Sequence, residues 1–440
     1  MNKQEKLKLA HWVIAEAKKS GADDLAVNIA NSRDIEVGFR DGKLEELKES
    51  TQNSLSMTVY AKNRYSNHST NDLSRERLDT FIREAVAMTG YLGEDPFRSL
   101  PDPKYYAGRK ETDLRIFDDS YEGLSSEARV KFAQAIEETA QAQSDRIISC
   151  TAGFSDSFYE TVKVHSNGFE GVRRGTSFSA GAEVTVSDDG GGRPQDWDWR
   201  TVRFRKDLPA PEVMGKSAVK RALTKIGQVK MESGKFDMIV TNRNGGRLLS
   251  ALNEPMQGSA LQQKRSFLDG KLDQKIGSEK LTIIDDPFIE TGIGSRLYDG
   301  DGMATKRRVM IDKGVLKSYY IDWYYGRKLG MEPTTGGSTN LVFEYGDKSL
   351  DDLVKGMKKG ILINTFIGGN SNSTTGDFSY GIMGLYIEDG QIVRPVNEMN
   401  ISGNSAELWD KLVAMGNDPW VYSSWRRPSM YFTDIQFSGI

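Results

Sequence analysis

Between residues 24 and 60 apolar and polar side chains alternate with a period of two, a pattern that only extended strands with one buried face satisfy. Val27 and Ile29, then Ile35, Val37 and Phe39, then Leu55, Met57 and Val59 share one parity. Asp41-Gly42 lies inside this stretch and supplies a hairpin turn, since a tight turn between twisted strands needs residues that tolerate positive φ. The first part of the chain must therefore build a sheet, and the remaining segments must cover it.

Helical spacing supplies the cover. Leu7, Ala10, Ile14 and Ala17 mark an amphipathic helix that Gly21 ends. Leu78, Phe81, Ile82, Ala85 and Val86 mark another over 75–89, and Ala128, Phe132, Ala135, Ile136 and Thr139 a third over 126–142. The Pro-containing 95–103 segment is a connection. Long strands are expected from Ile147 to Phe204, broken at Asn167-Gly168 and at the Gly-rich run 188–194. That run lacks the Lys-Ser/Thr and the following helix of a phosphate-binding P-loop, so it reads as a mobile loop. A helix over 209–226 ends at Gly227, and the domain seam is placed there, giving an N-terminal α+β domain at 1–215 and a C-terminal β-rich domain at 216–440.

The second half opens with a strand at 235–242, a helix at 245–254 and a strand at 281–286, with a hairpin around Asp312-Lys313-Gly314. Ser349 and Asp352 start a helix expected to run through Lys359, and Gly360 precedes a strand at 361–367. A last helix is expected at 405–415, then strands near 419–423 and 430–437. Strands come in runs between isolated helices, which predicts an α+β fold of two tightly associated domains. The N-terminal one has a mixed α/β sheet with helices, the C-terminal one mostly antiparallel β with a few helices.

Lys and Arg total 59 against 62 Asp and Glu, with the signs interspersed, so no basic face or tail marks a direct nucleic-acid binder. No stretch approaches the roughly 20 apolar residues of a membrane-spanning helix. Cys150 is the only cysteine, so no internal disulfide is possible. A soluble, cytoplasmic protein is the expectation.

A zinc hydrolase needs about three protein ligands and a water. His11 falls in the first helix, His68 in a polar loop and His165 beside a hairpin turn, with no H-E-x-x-H pair among them. There is no G-x-S-x-G elbow and no G-x-G-x-x-G. Asp285-Asp286 reads as a strand end capping a turn or as paired carboxylates.

The segment 364–404 is the most informative. It leaves a strand, crosses a Gly/Ser/Asn/Thr-rich loop, resumes alternation through Ile382, Leu385, Tyr386 and Ile387, and turns at Asp389-Gly390. Such a surface either presents main-chain groups to an extended peptide or is a tight set of turns with no ligand.

T-G-D-F-S-x-G-x-x-G (375–384), I-E-D-G (387–390), P-V-N-E-M (395–399) and I-S-G-N (401–404) resemble the C-terminal signature of the TldD/PmbA family. TNRNGG-x-LLSAL (241–252) and LTIIDDP (281–287) resemble its middle region. The resemblance implies a two-subunit protease, TldD with TldE (PmbA), for peptides and unstructured segments, with zinc only in TldD. In TldD-type chains an H-E-x-x-x-H helix and a Cys near the C-terminus hold the metal. Here Ser250, Ala251 and Pro255 stand at the first motif and Ser423-Ser424 at the second, so the lost ligand positions are Ser250, Ala251, Pro255 and Ser424. Serine is a poor zinc ligand, and alanine and proline have none to offer.

The resemblance thus implies a TldE/PmbA-type chain with no catalytic residue, metal or cofactor of its own. Zinc is expected in a TldD-like partner, with which it forms a heterodimer, or else it forms a homodimer in isolation. Gly376, Asp377, Phe378, Ser379 and Gly381 are expected to border the peptide chamber. The competing expectations are a stand-alone metallopeptidase using Glu254, Asp285 or Asp286, and a modulator of DNA gyrase acting through protein contacts.

Overall fold

The alternating segment becomes two long neighbouring strands, β1 (Asp24–Arg40) and β2 (Lys43–Ala61), in the computed structural model, which describes residues 1–440. Asp41 and Gly42 join them with φ of 48° and 77°, as a primed hairpin turn requires. Next come β3 (Arg64–Thr70), β4 (Ile147–His165), β5 (Glu170–Val186) and β6 (Gln195–Val202). The sheet order is β3-β2-β1-β4-β5-β6, and every pairing is antiparallel. His68 lies within β3, not in a loop: Met57 pairs with it, and this short edge strand has too few apolar residues to announce itself.

One face of this sheet carries the helices. α1 (Lys3–Lys19) and α2 (Arg75–Thr89) bury Leu9, Val13, Leu78 and Ile82 against Val27, Ile29, Met57, Val59, Val162 and Val164. α3 (Ser126–Gln141) and α4 (Pro211–Leu223) bury Ile136, Met214 and Ala218 against Val37, Phe39, Phe154 and Phe178. Between the two clusters, Arg129 of α3 reaches the sheet and forms a bidentate pair with Asp156, both side chains sealed from solvent. The boundary between residues 215 and 216 falls inside α4. Gly215 lets α4 approach α3 closely, since a Cβ there would lie 2.6 Å from the Ile136 carbonyl oxygen, so the helix belongs wholly to the first half.

The second half begins with β7 (Gly234–Val240), α5 (Gly246–Asn253), α6 (Gly258–Gln262), β8 (Ile283–Asp285), β9 (Arg308–Asp312), β10 (Val315–Leu316) and α7 (Trp323–Leu329). It continues with β11 (Leu341–Phe343), α8 (Leu350–Lys355), β12 (Lys359–Ser371), β13 (Asp377–Glu388), β14 (Gln391–Asn404), α9 (Ser405–Asp410), β15 (Leu412–Met415), β16 (Trp425–Arg426) and β17 (Met430–Ser438). A six-stranded sheet, β14-β13-β12-β7-β17-β15, curls until β14 also pairs with β17 through Asn400↔Ser438 and Ile401↔Phe437. The second sheet is β10-β9-β8-β11-β16. Only β7–β12 and β11–β16 run parallel, so the half is mostly antiparallel as expected.

Several boundaries differ from the sequence reading: the helix expected over 209–226 spans only Pro211–Leu223 and the strand expected over 281–286 only Ile283–Asp285. α8 starts at the Ser349/Asp352 capping box but stops at Lys355, because Gly356 caps it and Lys359 already pairs with Glu388. The helix expected to reach 415 ends at Asp410, since Leu412, Ala414 and Met415 are drawn into pairing with β17. Residues 419–423 form no strand, and the short strand there is β16.

Candidate functional site

The signature segments meet as neighbouring strands. β13 and β14 pair Asp377↔Asn404, Phe378↔Gly403, Ser379↔Ser402 and Tyr380↔Ile401, which brings the T-G-D-F-S and I-S-G-N motifs side by side. Strand alternation then sorts the candidate residues. Asp377 and Ser379 are exposed, whereas Phe378 is only 6% exposed and stacks on Tyr380 at 5.4 Å between ring centroids. Phe378 is therefore a core residue of the curled sheet and does not border open space. The signal was present in the sequence, because Phe378, Tyr380 and Ile382 continue one parity.

The remaining signature residues brace this corner. The Asn404 side chain donates to the Thr375 carbonyl and to Asp377 Oδ1 at 2.8 and 3.0 Å, and its own oxygen caps α9 at Ala406 N–H. The Thr375 hydroxyl and Asn404 hold the Asp377 carboxyl below the usual carboxylate range. The glycines serve the sheet itself. A Cβ on Gly381 would overlap the Ile367 carbonyl oxygen, and one on Gly376 would lie 3.0 Å from the Asn404 side chain. Gly368 and Gly369 lie where the β12–β13 register shifts, with φ of 70° and 82°. The close backbone approach expected for a bound peptide is thus made by neighbouring strands of the chain.

At the positions aligned with the zinc motif, Ser250 is exposed on α5, Ala251 is buried in the same helix, and Pro255 is buried in the turn after it. The helix ends at Asn253, so Pro255 lies beyond it. Ser424 borders β16, its carbonyl accepting from Leu341 N–H. No group of three or more His, Cys, Asp or Glu side chains is arranged to hold a metal ion anywhere in the chain. Ser250, Ala251, Pro255 and Ser424 offer no good zinc donor among them.

The other candidates are dispersed. Glu254 is exposed. Asp285 is fully buried and accepts from the Thr339 N–H at 2.7 Å and from its hydroxyl, with Arg308 at 3.4 Å. Asp286 caps Phe288 N–H and pairs with Arg307 at 3.3 Å. These two carboxylates hold turns together and are not gathered with Glu254 into a metal cluster. His11 pairs with Glu170 on the surface, and His68 contacts the Ser66 hydroxyl. Burial pushes the Cys150 thiol up to about 12, so it is not a nucleophile at neutral pH.

What the sequence reading missed is a polar cleft between the two halves. The sheet face opposite the helices presents Asn28, Tyr60, Lys163, His165 and Arg173, and loops of the second half roof it with Arg296, Asp299, Asp301, Asp322 and Trp323. Two adjoining cavities, of about 440 and 290 Å³, share Asn28, Lys163, Gly300 and Asp301. Lys163 donates to the Gly300 carbonyl at 2.5 Å and Arg173 to the Ser295 carbonyl at 3.4 Å. Burial and then the neighbouring Asp301 push the Asp299 carboxyl up to about 6, while burial and then Asp322 raise Asp301. Burial holds the Lys163 ammonium below its ordinary value and the His165 imidazole down at about 3. The cleft was not read from the sequence, because Asn28, Lys163 and Arg173 meet the 296–301 and 322–323 segments only after the halves dock.

A helix-covered antiparallel sheet is joined to a curled β half that carries the signature strands β12 to β14. Models of the PmbA/TldA metallopeptidase match in chain order: domain 1 over 26–89, the central domain over 119–226 and the C-terminal domain over 233–439. The chain belongs to the PmbA/TldD metallopeptidase family. It is similar to the metalloprotease PmbA of Escherichia coli O157:H7, with 28% identity over 97% of this chain and 94% of that one. A crystal structure from Bacteroides thetaiotaomicron, named as a candidate modulator of DNA gyrase, matches with a TM-score of 0.97 and 42% identity over the full length of both chains. TldE from Thermococcus kodakarensis shares the fold, with a TM-score of 0.86 at 21% identity over 98% of this chain and 100% of that one. No helix is long and apolar enough to cross a membrane.

Proposed function

We propose that this chain is the zinc-less, TldE/PmbA-type subunit of a two-subunit cytoplasmic metalloprotease that degrades peptides and unfolded segments. It pairs with a TldD-like chain, helps to enclose the substrate, and leaves the metal chemistry to its partner. The carrying observation is the donor set: Ser250, Ala251 and Pro255 stand at the motif positions, and no three ligating side chains come together elsewhere. Serine, alanine and proline offer neither a good zinc ligand nor a proton acceptor to activate water. A homodimer in the absence of the partner remains compatible with this role.

The test is to purify the chain alone and together with a TldD-type subunit, then measure bound zinc and cleavage of an unstructured peptide. The expected result is no stoichiometric metal and no cleavage alone, with both present in the pair. Stoichiometric zinc and peptide cleavage by the isolated chain would overturn the proposal.

The name carried by the Bacteroides thetaiotaomicron structure supplies a second reading, modulation of DNA gyrase through protein contacts. A net charge of −3 without a basic arm gives no support to direct DNA binding. A supercoiling assay with and without the chain separates this reading from the first.

A further inference from the structure

The geometry points to the cleft between the halves as a binding site for a zwitterion of amino-acid or dipeptide size, held by its carboxylate on Arg173 and Arg296 and by its ammonium on Asp301 and Asp322. The larger cavity, of about 440 Å³, has the size of a small-molecule site, and both signs of charge line it. Yet no ion pair within 4.0 Å joins Lys163, Arg173 or Arg296 to Asp299, Asp301 or Asp322, although charged groups elsewhere in the chain pair freely. The protein thus holds opposite charges on one cavity without closing them into ion pairs, an arrangement that a ligand bearing both signs can bridge.

The hydrogen bonds identify which groups are free. Arg296 uses one guanidinium nitrogen, Nη2, on the Gly337 and Ser338 carbonyls at 2.9 and 3.1 Å, and Arg173 uses Nη2 on Ser295. Nε of both arginines and the Tyr298 hydroxyl, on residues that line the same cavity, are buried without a partner, and neither arginine uses Nη1 in a hydrogen bond within the chain. On the acidic side Asp299 already accepts three backbone N–H groups, from Asp301 and Met303 at 2.9 Å and from Gly336 at 3.4 Å, so Asp301 and Asp322, with fewer donors, have the spare acceptors. A divalent cation fits less well, because the carboxylates do not form a metal-binding triad. The adjoining cavity of about 290 Å³ sets Tyr65, Trp323 and Tyr324 beside Arg98, Ser99 and Lys163 and suits an aromatic side chain with a polar tip.

The choice of a peptide fragment among zwitterions rests on the protease-subunit reading; the site itself does not. The test is calorimetric titration of the isolated full-length chain with leucyl-tyrosine, N-acetyl-leucyl-tyrosine, leucyl-tyrosinamide and free tyrosine. The free dipeptide is expected to bind with a Kd of about 1 mM or tighter, and blocking either end to weaken it by about tenfold or more. Arg296→Gln is expected to abolish the preference for acid over amide, and Asp301→Asn the preference for amine over acetyl. Each variant's melting temperature is followed, and Arg173→Gln replaces Arg296→Gln if the latter does not fold. Tight binding of free tyrosine supports an amino-acid ligand, and binding of the dipeptide alone a peptide end. Equal affinity for blocked and free dipeptides, no binding of any probe, or retention of both preferences in the variants would overturn the assignment. The chain is titrated without a partner, so this outcome is independent of whether it supports a TldD-like protease.

Discussion

Phe378→Ala separates a core role from a substrate-binding role for the signature segment. The ring is 6% exposed, stacked on Tyr380 at 5.4 Å and 17°, and Tyr380 in turn meets Phe366 edge-on at 5.7 Å. Gly403 lies directly across on β14, where a Cβ would be 3.3 Å from the ring, so the site is close-packed on that side too. Truncation removes the buried ring and leaves a cavity that the paired strands cannot collapse into, a change that costs about 3–5 kcal/mol. Loss of the stack is already part of that figure. Ser379→Ala, one residue away on the exposed face, should cost less than about 0.5 kcal/mol. Urea denaturation followed by tryptophan fluorescence reads both, as a lowered midpoint at unchanged slope for the first and no shift for the second. If Phe378→Ala kept its urea midpoint while partner-dependent peptide cleavage disappeared, the core assignment would be refuted and the residue would belong to the substrate path.

Two further predictions rest on buried charge. His165 is 4% exposed, and burial holds its imidazole at about 3, below the ordinary 6.5, so the unfolded chain takes up a proton that the folded chain refuses. Stability is thus full above pH 6.5 and falls as the pH drops toward 3; the loss at pH 5 is about 2 kcal/mol, and His165→Gln should shrink the difference in unfolding free energy between pH 7 and pH 5 by that amount. Arg129→Ala strands the sealed Asp156 carboxylate and should cost about 3–5 kcal/mol, whereas the double variant Arg129→Met/Asp156→Leu should recover most of it in the same denaturation assay.

Local rules were readable from residues that act locally. Asp41-Gly42 fixed its hairpin, and Ser349 with Asp352 fixed the start of α8, because turn and cap chemistry needs only neighbours. The α+β class followed from the order of periodicities. The misread boundaries depend on partners far away: Leu412 leaves the helical pattern to pair with Phe432, and Lys359 to pair with Glu388. The glycines at 368, 369 and 381 were visible as a Gly-rich stretch, but only the register shows that they relieve contacts within the sheet. That Ser250, Ala251 and Pro255 are poor metal donors is a property of their side chains, whereas the cleft could not be read, since Asn28, Lys163, Asp301 and Trp323 carry no common pattern.

The partnering of β1 with β4 has a bearing on how the chain is made. Arg40 leaves the ribosome long before Ile147, and at about 5–20 residues per second the edge of β1 waits about 5–20 s for the strand that covers it. During that interval α1, α2 and the β1–β2–β3 meander offer a bare row of main-chain donors and acceptors to any other nascent chain. Long-range closure of this kind leaves the nascent chain open to misassembly until residue 165 has emerged.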